Sequence, residues 1–153
     1  MKIISPSTEE EFEKYYQLRW EVLRAPWGKP KGSEKDDIEN TSTHALLLDE
    51  NNTAVAVCRL NSTDDKQIGQ VRFMGVSSAA QGKGYGAKIM DYIEQEAEKQ
   101  GMHKIILHAR ENALEFYKRC GYTIVEKSYL MWDEIQHYLM EKEIASSLKR
   151  SSQ

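Results

Sequence analysis

The run VSSAAQGKGYGAK, Val76 to Lys88, packs three glycines into a short stretch between two very different patterns. Before it, QVRFMGV (70–76) reads as a strand. After it, Met90, Ile93 and Ala97 form a helical stripe ended by Gly101, and KIILHA (104–109) returns to strand. A strand, a helix and a strand in that order make a parallel crossover pair, which is right-handed in nearly all sheets. That unit commits the chain to a sheet with helices packed on it.

The rest of the chain builds around the crossover. Ser7 with Glu10 has the S-x-x-E form of a capping box, and Phe12, Tyr15, Tyr16, Val22 and Leu23 then share one helical face. Pro26 disfavours helical geometry in the residue before it, so this helix should end near Arg24. APWGKPKGSEKDD is a loop of proline, glycine and charge, with Ser33 as the cap of a short second helix ending near Asn40. ALLLD (45–49), TAVAVCRL (53–60) and QVRFMGV are joined by short polar turns, which predicts an antiparallel meander. Asn112 with Glu115 resembles a second capping box. The helix ALEFYKRC stops at Gly121, and YTIVEKSYL and HYLMEKE are two last strands. The expected class is α/β (α+β), a single mixed, mostly antiparallel sheet of six to seven strands flanked by helices.

A length of 153 residues fits one domain with its own hydrophobic core. The net charge of −3, with no dense Lys/Arg run, argues against a nucleic-acid partner. No apolar stretch reaches the ~20 residues that a membrane span needs, and the start, MKIISPSTEEEFEKYY, lacks the apolar core of a signal peptide. Cys58 and Cys120 lie far apart and are not set in a CxxC, so they read as reduced thiols of a cytoplasmic protein. No His/Cys/Asp/Glu set has metal-ligand spacing, so no metal is expected.

Gly82, Gly84 and Gly86 let the backbone approach a ligand closely and point successive N–H groups into one concavity. The helix behind them adds unpaired N–H groups and the positive end of its dipole, which together suit a pyrophosphate. Lys83 and Lys88 add charge. Two rival phosphate loops fail on spacing. A Walker A loop needs a Gly-Lys-Ser/Thr ending, which Gly84-Tyr85-Gly86-Ala87-Lys88 lacks. A dinucleotide fingerprint is met literally by Gly82, Gly84 and Ala87, but it belongs directly after its strand, and here SSAAQ intervenes.

Gln81-Gly82-Lys83-Gly84-Tyr85-Gly86 fits Q-x-x-G-x-G after a strand ending MGV, and NALEFYKRCGY follows about one crossover later. The pairing resembles the GNAT superfamily of N-acetyltransferases, which bind acetyl-coenzyme A. The resemblance extends from the first helix to HYLMEK, and YYQLRWEVLRAPWGKPKGSEKD further resembles a bacterial subset of small stand-alone domains, one branch of which is fused to a thioesterase-like domain. It implies an acetyl-coenzyme-A-binding domain over 1–145 with a polar tail, 146–153. It also implies that the strands RFMGV and IILHA splay apart to admit the pantetheine arm. Gln81, Gly82, Lys83, Gly84, Tyr85 and Gly86 would hold the pyrophosphate. Met74, Gly75 and Val76 would offer backbone groups to the arm, with Asn112 a polar residue near it.

By the same resemblance Tyr117 is the general acid that protonates the leaving thiolate and lies at the cofactor. The residues themselves also allow Tyr117 to be plain core beside Phe116. The general base is the departure: Gln70 stands where many members carry a glutamate, and an amide cannot take a proton. Arg72 shares its face by the two-residue period. His108, on the adjoining strand, is a candidate to act directly or through water, His44 a weaker one, and His137 reads as packing or surface. Trp27, in the Pro/Gly loop, is either a lid on the core or a wall for a ligand; with Arg72 and His108 it makes up the acceptor-side candidates. Cys120 next to a helix-ending glycine reads as a structural thiol rather than a partner of His108.

The leading expectation is an enzyme that moves acetyl from acetyl-coenzyme A to a small-molecule acceptor, an amine, by direct attack in a ternary complex. An acyltransferase acting on an acyl carrier protein or thioester partner is the second reading, and a non-catalytic acyl-CoA-binding regulatory module the third. The expected state is monomer or homodimer, with an exposed last strand available for pairing between subunits.

Overall fold

Thr8 opens the first helix. Its hydroxyl accepts the Glu11 N–H at 3.1 Å, and Glu11 returns the bond to the Thr8 N–H at 3.2 Å and to the Ser7 N–H at 2.8 Å. The capping box is therefore Thr8/Glu11, one residue beyond the expected Ser7/Glu10. STEEE offers two overlapping S/T-x-x-E frames, and the later frame lets one carboxylate serve two backbone donors. The structure is a computed structural model that describes residues 1–144; the expected polar tail lies outside the described residues.

In chain order the elements are β1 (Lys2–Ile4), α1 (Glu9–Leu23), β2 (Thr43–Leu48), β3 (Ala54–Ser62), β4 (Ile68–Val76), α2 (Tyr85–Lys99), β5 (Lys104–Arg110), α3 (Leu114–Arg119), β6 (Thr123–Met131) and β7 (Ile135–Glu143). They form one seven-stranded mixed sheet in the order β1-β2-β3-β4-β5-β7-β6, with helices on it. The expected class holds. The last strand, however, lies between β5 and β6, so the edge is β6 and not the final strand.

The chain divides into two compact units. The first comprises Met1–Asn61 and Phe73–Gln95. In it β1, β2 and β3 pair antiparallel, from Lys2↔Leu48 to Thr43↔Leu60, with an irregularity at Leu47/Leu48. Tyr15 and Leu18 of α1 meet Leu46, Leu48 and Val57 in its core, with Ile4, Phe12, Tyr16, Val22 and Ala54 packed around them. The segment after α1 is not the short helix expected over Ser33–Asn40. Residues 33–40 are a run of turns that leads into a 3-10 turn at Glu39–Thr41, because the acidic side chains are committed to other partners, described below.

The second unit comprises Ser62–Arg72 and the chain from Glu96 onward. The parallel ladder of β4 with β5 runs from Ile68↔Lys104 to Val71↔Leu107, and β4 itself continues to Val76. β5 and β6 both pair antiparallel with β7. Alternation along β5 buries Ile105, Leu107 and Ala109 and leaves Lys104, Ile106, His108 and Arg110 on the other face, half-buried. The β6–β7 turn places Trp132 (φ 52) and Asp133 (φ 55) in the left-handed region, as a type I′ hairpin turn requires. Before α3 the chain makes a 3-10 turn, Glu111–Ala113, and the helix is capped by Ala113 without a side-chain bond. The expected Asn112/Glu115 box does not form, because the tighter turn already takes Leu114 N–H back to the Glu111 carbonyl.

Candidate active site

In the first unit, Ser77 N–H donates to the Val55 carbonyl at 2.9 Å and fastens the end of β4. The Gln81 amide donates to the Val76 carbonyl at 3.4 Å, so this side chain shapes the loop. Gly82 and Gly84 both have φ 81, a conformation that other residues rarely adopt, and a Cβ at either would meet nothing within 4 Å. These glycines are there for backbone geometry, and the space beside them is open. The Gly84 carbonyl accepts the Lys88 N–H at 3.2 Å, so α2 starts here, and its first N–H groups have no partner within the helix. Gln81 to Gly84 are exposed, as is Lys88, Tyr85 is half-buried and Gly86 buried. Open left-handed glycines leading into a 15-residue helix suit a pyrophosphate. Gly75 answers a different demand. A Cβ there would come 3.1 Å from Val22 Cγ1, so α1 needs a glycine at that point of β4.

Just before these residues, Phe73 sits at φ 56, where a bulky side chain is a genuine outlier. Around its ring lies a polar network that the sequence reading missed. Arg19 and Arg59 are wholly buried. Arg19 Nη1 donates to both Glu39 oxygens, at 3.0 and 2.9 Å, and to the Glu34 carbonyl at 2.9 Å. Arg59 Nη1 donates to Glu39 Oε2 at 2.9 Å and Asp36 Oδ1 at 2.6 Å. Burial would raise the Glu39 carboxyl, but Arg19, the Asp36 N–H and Arg59 outweigh it and hold it below its ordinary value. Arg19 Nη2 also donates to the Tyr15 hydroxyl at 2.7 Å. The Glu39 carbonyl, 2.8 Å from His44 Nε2, can only accept, so Nε2 carries the proton and Nδ1 takes the Tyr15 O–H at 2.8 Å. His44 is thereby a structural imidazole and not a base. The missed signal was a charge inside each apolar pattern: Arg19 one turn after Tyr15, and Arg59 within AVAVCRL. Removing one partner of such a buried pair typically costs about 3–5 kcal/mol.

Of the acceptor-side candidates, Trp27 is 38% exposed on the 3-10 turn Ala25–Trp27, so it is no buried lid on the core. Cys58 is buried, and burial pushes its thiol up to about 12. Cys120 is half-buried, and neither cysteine forms a disulfide.

In the second unit, β4, β5, β7 and β6 bring a different cluster together. His108 and the Tyr129 ring of β6 have centroids 5.2 Å apart, and Tyr129 stacks on His137 at 4.4 Å. His108 Nδ1 is buried with no hydrogen-bond partner. Burial, then the nearby Arg72 charge, holds its pKa below the ordinary 6.5, so the ring is neutral at pH 7. His137 Nδ1 donates to the Ile135 carbonyl at 3.0 Å. Burial lowers the pKa of Arg110, opposed by Tyr129 and Tyr117, which lie within its electrostatic reach. Tyr117 is buried on α3, edge-on to Phe116 and Tyr122. Asn112 is exposed in the 3-10 turn. Gln70, where the resemblance calls for a glutamate, sits in the ladder beside Ile106.

Three histidines, His44, His108 and His137, are each held below 6.5, with burial the leading cause. The unfolded chain then binds protons first as pH falls. Their contribution is complete above about pH 6.5 and is lost as pH drops toward the folded values. Denaturant midpoints should therefore fall between pH 7.5 and 5.5; tenfold in proton affinity is about 1.4 kcal/mol. Equal midpoints at the two pH values would mean that these rings are not held neutral.

Residues 12–122 match the family described as Acetyltransferase (GNAT) family. The chain is 28% identical over 143 residues to a Bacillus subtilis protein named "Uncharacterized N-acetyltransferase YjcF", over 94% of this chain and 100% of that one. It shares the fold of an aminoglycoside 6'-N-acetyltransferase complexed with coenzyme A, with TM-score 0.79 and 17% identity over 94% of this chain and 97% of that chain. It also shares the fold of the aminoglycoside 6'-N-acetyltransferase from Enterococcus faecium, with TM-score 0.74 and 18% identity over the same shares of each chain. Among the described residues, no helix is long and apolar enough to cross a membrane, and no group of three or more His, Cys, Asp or Glu is placed to hold a metal.

Proposed function

The chain belongs to the GNAT family of acetyltransferases, and from that premise we propose that it moves an acetyl group from acetyl-coenzyme A to a small-molecule amine by direct attack in a ternary complex. The observation that carries the reading is the pair of open, left-handed glycines, Gly82 and Gly84, leading into α2. The loop Gln81–Gly86 receives the pyrophosphate on its N–H groups, with Lys83 beside it. The backbone of Met74, Gly75 and Val76 receives the amides of the pantetheine arm as a partner strand would, with Asn112 near the arm. An N–H of that stretch polarises the thioester carbonyl. Acetyl-coenzyme A supplies the activated acetyl group.

The chain's own groups handle the protons. His108, neutral at pH 7, takes the proton that the amine nitrogen loses as its bond to the acetyl carbon forms, directly or through one water. Tyr117 gives its proton to the sulfur as the carbon–sulfur bond breaks. Arg72 and Trp27 are the candidates for contact with the acceptor. The aminoglycoside acetyltransferases that share the fold support an amine as the acceptor class.

The test is calorimetry and thermal melting with acetyl-coenzyme A, then release of free thiol with a panel of primary amines. At 100 times its dissociation constant the ligand should add about 2.7 kcal/mol of stability, which raises Tm by about 5–10 °C for a chain of this size. No heat and no melting shift on folded protein would overturn the reading. Binding without thiol release would favour a non-catalytic acyl-CoA-binding module. Release only with an acyl carrier protein would move the acceptor class to thioester partners.

A further inference from the structure

We propose that Arg19 and Arg59 are positioning residues for acetyl transfer: together they grip the Phe73 ring and hold the backbone turn in β4 that sets the direction of the Met74–Val76 amides. The proposal rests on the reading that those amides receive the acyl arm.

Phe73 holds φ 56 inside a strand, and nothing local favours it, since neither glycine nor asparagine occupies the position. A conformation of this kind persists only where its surroundings over-determine it. Here the surroundings are three guanidinium groups. Arg19 Cζ lies 4.3 Å from the ring centroid, Arg59 Cζ 4.8 Å and Arg24 Cζ 5.4 Å, all within cation–π reach. Arg19 comes from α1 and Arg59 from β3. The carboxylates that orient them, Glu39 and Asp36, come from the segment between α1 and β2. Asn61 Oδ1 fixes Arg59 from the side, accepting Nη2–H at 3.0 Å.

One detail separates this arrangement from an ordinary buried ion pair. The Nε atoms of both Arg19 and Arg59 are buried without a hydrogen-bond partner. Buried polar groups normally find partners, and an exception calls for a reason. The reason here is placement. The Nη groups satisfy Glu39, Asp36, Tyr15 and Asn61, while the guanidiniums stay against the ring instead of turning to satisfy Nε. The segment that carries Trp27 and the acidic residues and the strand that carries the amides are thus tied to the same two side chains.

The experiment compares the whole protein with Arg59→Lys and Phe73→Leu. Arg59→Lys keeps a charge for Asp36 and Glu39 but loses the planar group on the ring. Phe73→Leu removes the ring and leaves the ion pairs, and it serves if the lysine variant does not fold. For each variant, NMR reads the HN–Hα coupling that reports φ at residue 73 and the amide shifts of residues 74–76. Kinetics gives kcat and KM for acetyl-coenzyme A, and calorimetry gives coenzyme A affinity. The expected result is a changed coupling at residue 73 and a kcat lower by about 10- to 100-fold, the scale of a small misplacement of reacting groups, with a smaller loss of coenzyme A affinity because the pyrophosphate loop is untouched. Unchanged coupling and kcat would overturn the proposal, as would a lower Tm with kcat intact, or a lower kcat with the coupling at residue 73 unmoved. If the wild-type protein neither binds nor turns over acetyl-coenzyme A, the functional reading fails, while the coupling at residue 73 still decides whether the arginines hold the turn.

Discussion

Gly84→Val loses coenzyme A affinity by more than about tenfold while the fold survives. The residue has φ 81, and a β-branched side chain there is a genuine outlier. Strain of this kind is on the order of 1–3 kcal/mol, and each 1.4 kcal/mol is tenfold in binding if the loop must readopt that shape to hold its ligand. The added methyl groups do not clash with protein, because a Cβ at Gly84 meets nothing within 4 Å. They stand instead where a phosphate would come close to the backbone. Gly101→Val separates the two contributions. Gly101 follows α2 with φ 84 and also has open space around it, so it imposes the same strain away from the loop. Its variant should lose stability and keep affinity. Calorimetric titration with coenzyme A, beside a melting curve for each variant, makes the comparison. Unchanged affinity in Gly84→Val would place the phosphates elsewhere.

Why that loop was legible from sequence, and the arginine network was not, follows from where the determinants lie. The glycines, the strand before them and the helix stripe after them are contiguous, and each signals by its own chemistry. The strands were legible for the same reason, since alternation is local: TAVAVCRL anticipated Ala54–Ser62, and KIILHA anticipated Lys104–Arg110. The capping box slipped by one residue because two frames overlapped in STEEE. The helix expected over Ser33–Asn40 failed because Glu34, Asp36 and Glu39 look like a solvated face. In fact Glu34 Oε1 accepts the Gly32 N–H at 2.8 Å, and the other two hold buried arginines from elements far away in sequence. Local pattern carries no record of partners some 20 positions distant. The His108–Tyr129–His137 cluster was hidden by topology. β7 inserts between β5 and β6, and only that order sets Tyr129 beside both rings. A sequential hairpin at the sheet edge, the simpler expectation, would have left His137 on the outer strand.

The Tyr117→Phe variant should bind acetyl-coenzyme A as the native protein does and turn it over far more slowly. Tyr117 is 8% exposed, with its ring 5.0 Å from Phe116 and 6.0 Å from Tyr122, both edge-on. Phenylalanine keeps that packing, so the melting temperature should change little. What disappears is a phenol proton. Loss of a positioned general acid typically costs about 10²–10⁴ in rate. Because the thiolate exists only as the carbon–sulfur bond breaks, the loss should fall on kcat and spare KM for acetyl-coenzyme A. Tyr122→Phe is the internal control. It is a buried ring of the same aromatic group, its hydroxyl has no assigned role in the proton transfers, and it should leave kcat within about twofold. The two variants and the native chain are compared on one accepted amine, with binding measured separately by calorimetry. If Tyr117→Phe keeps kcat within about twofold, the ring serves only packing and the departing sulfur takes its proton from water or another donor. If both tyrosine variants lose kcat alike, the loss belongs to the packing of α3 rather than to a proton.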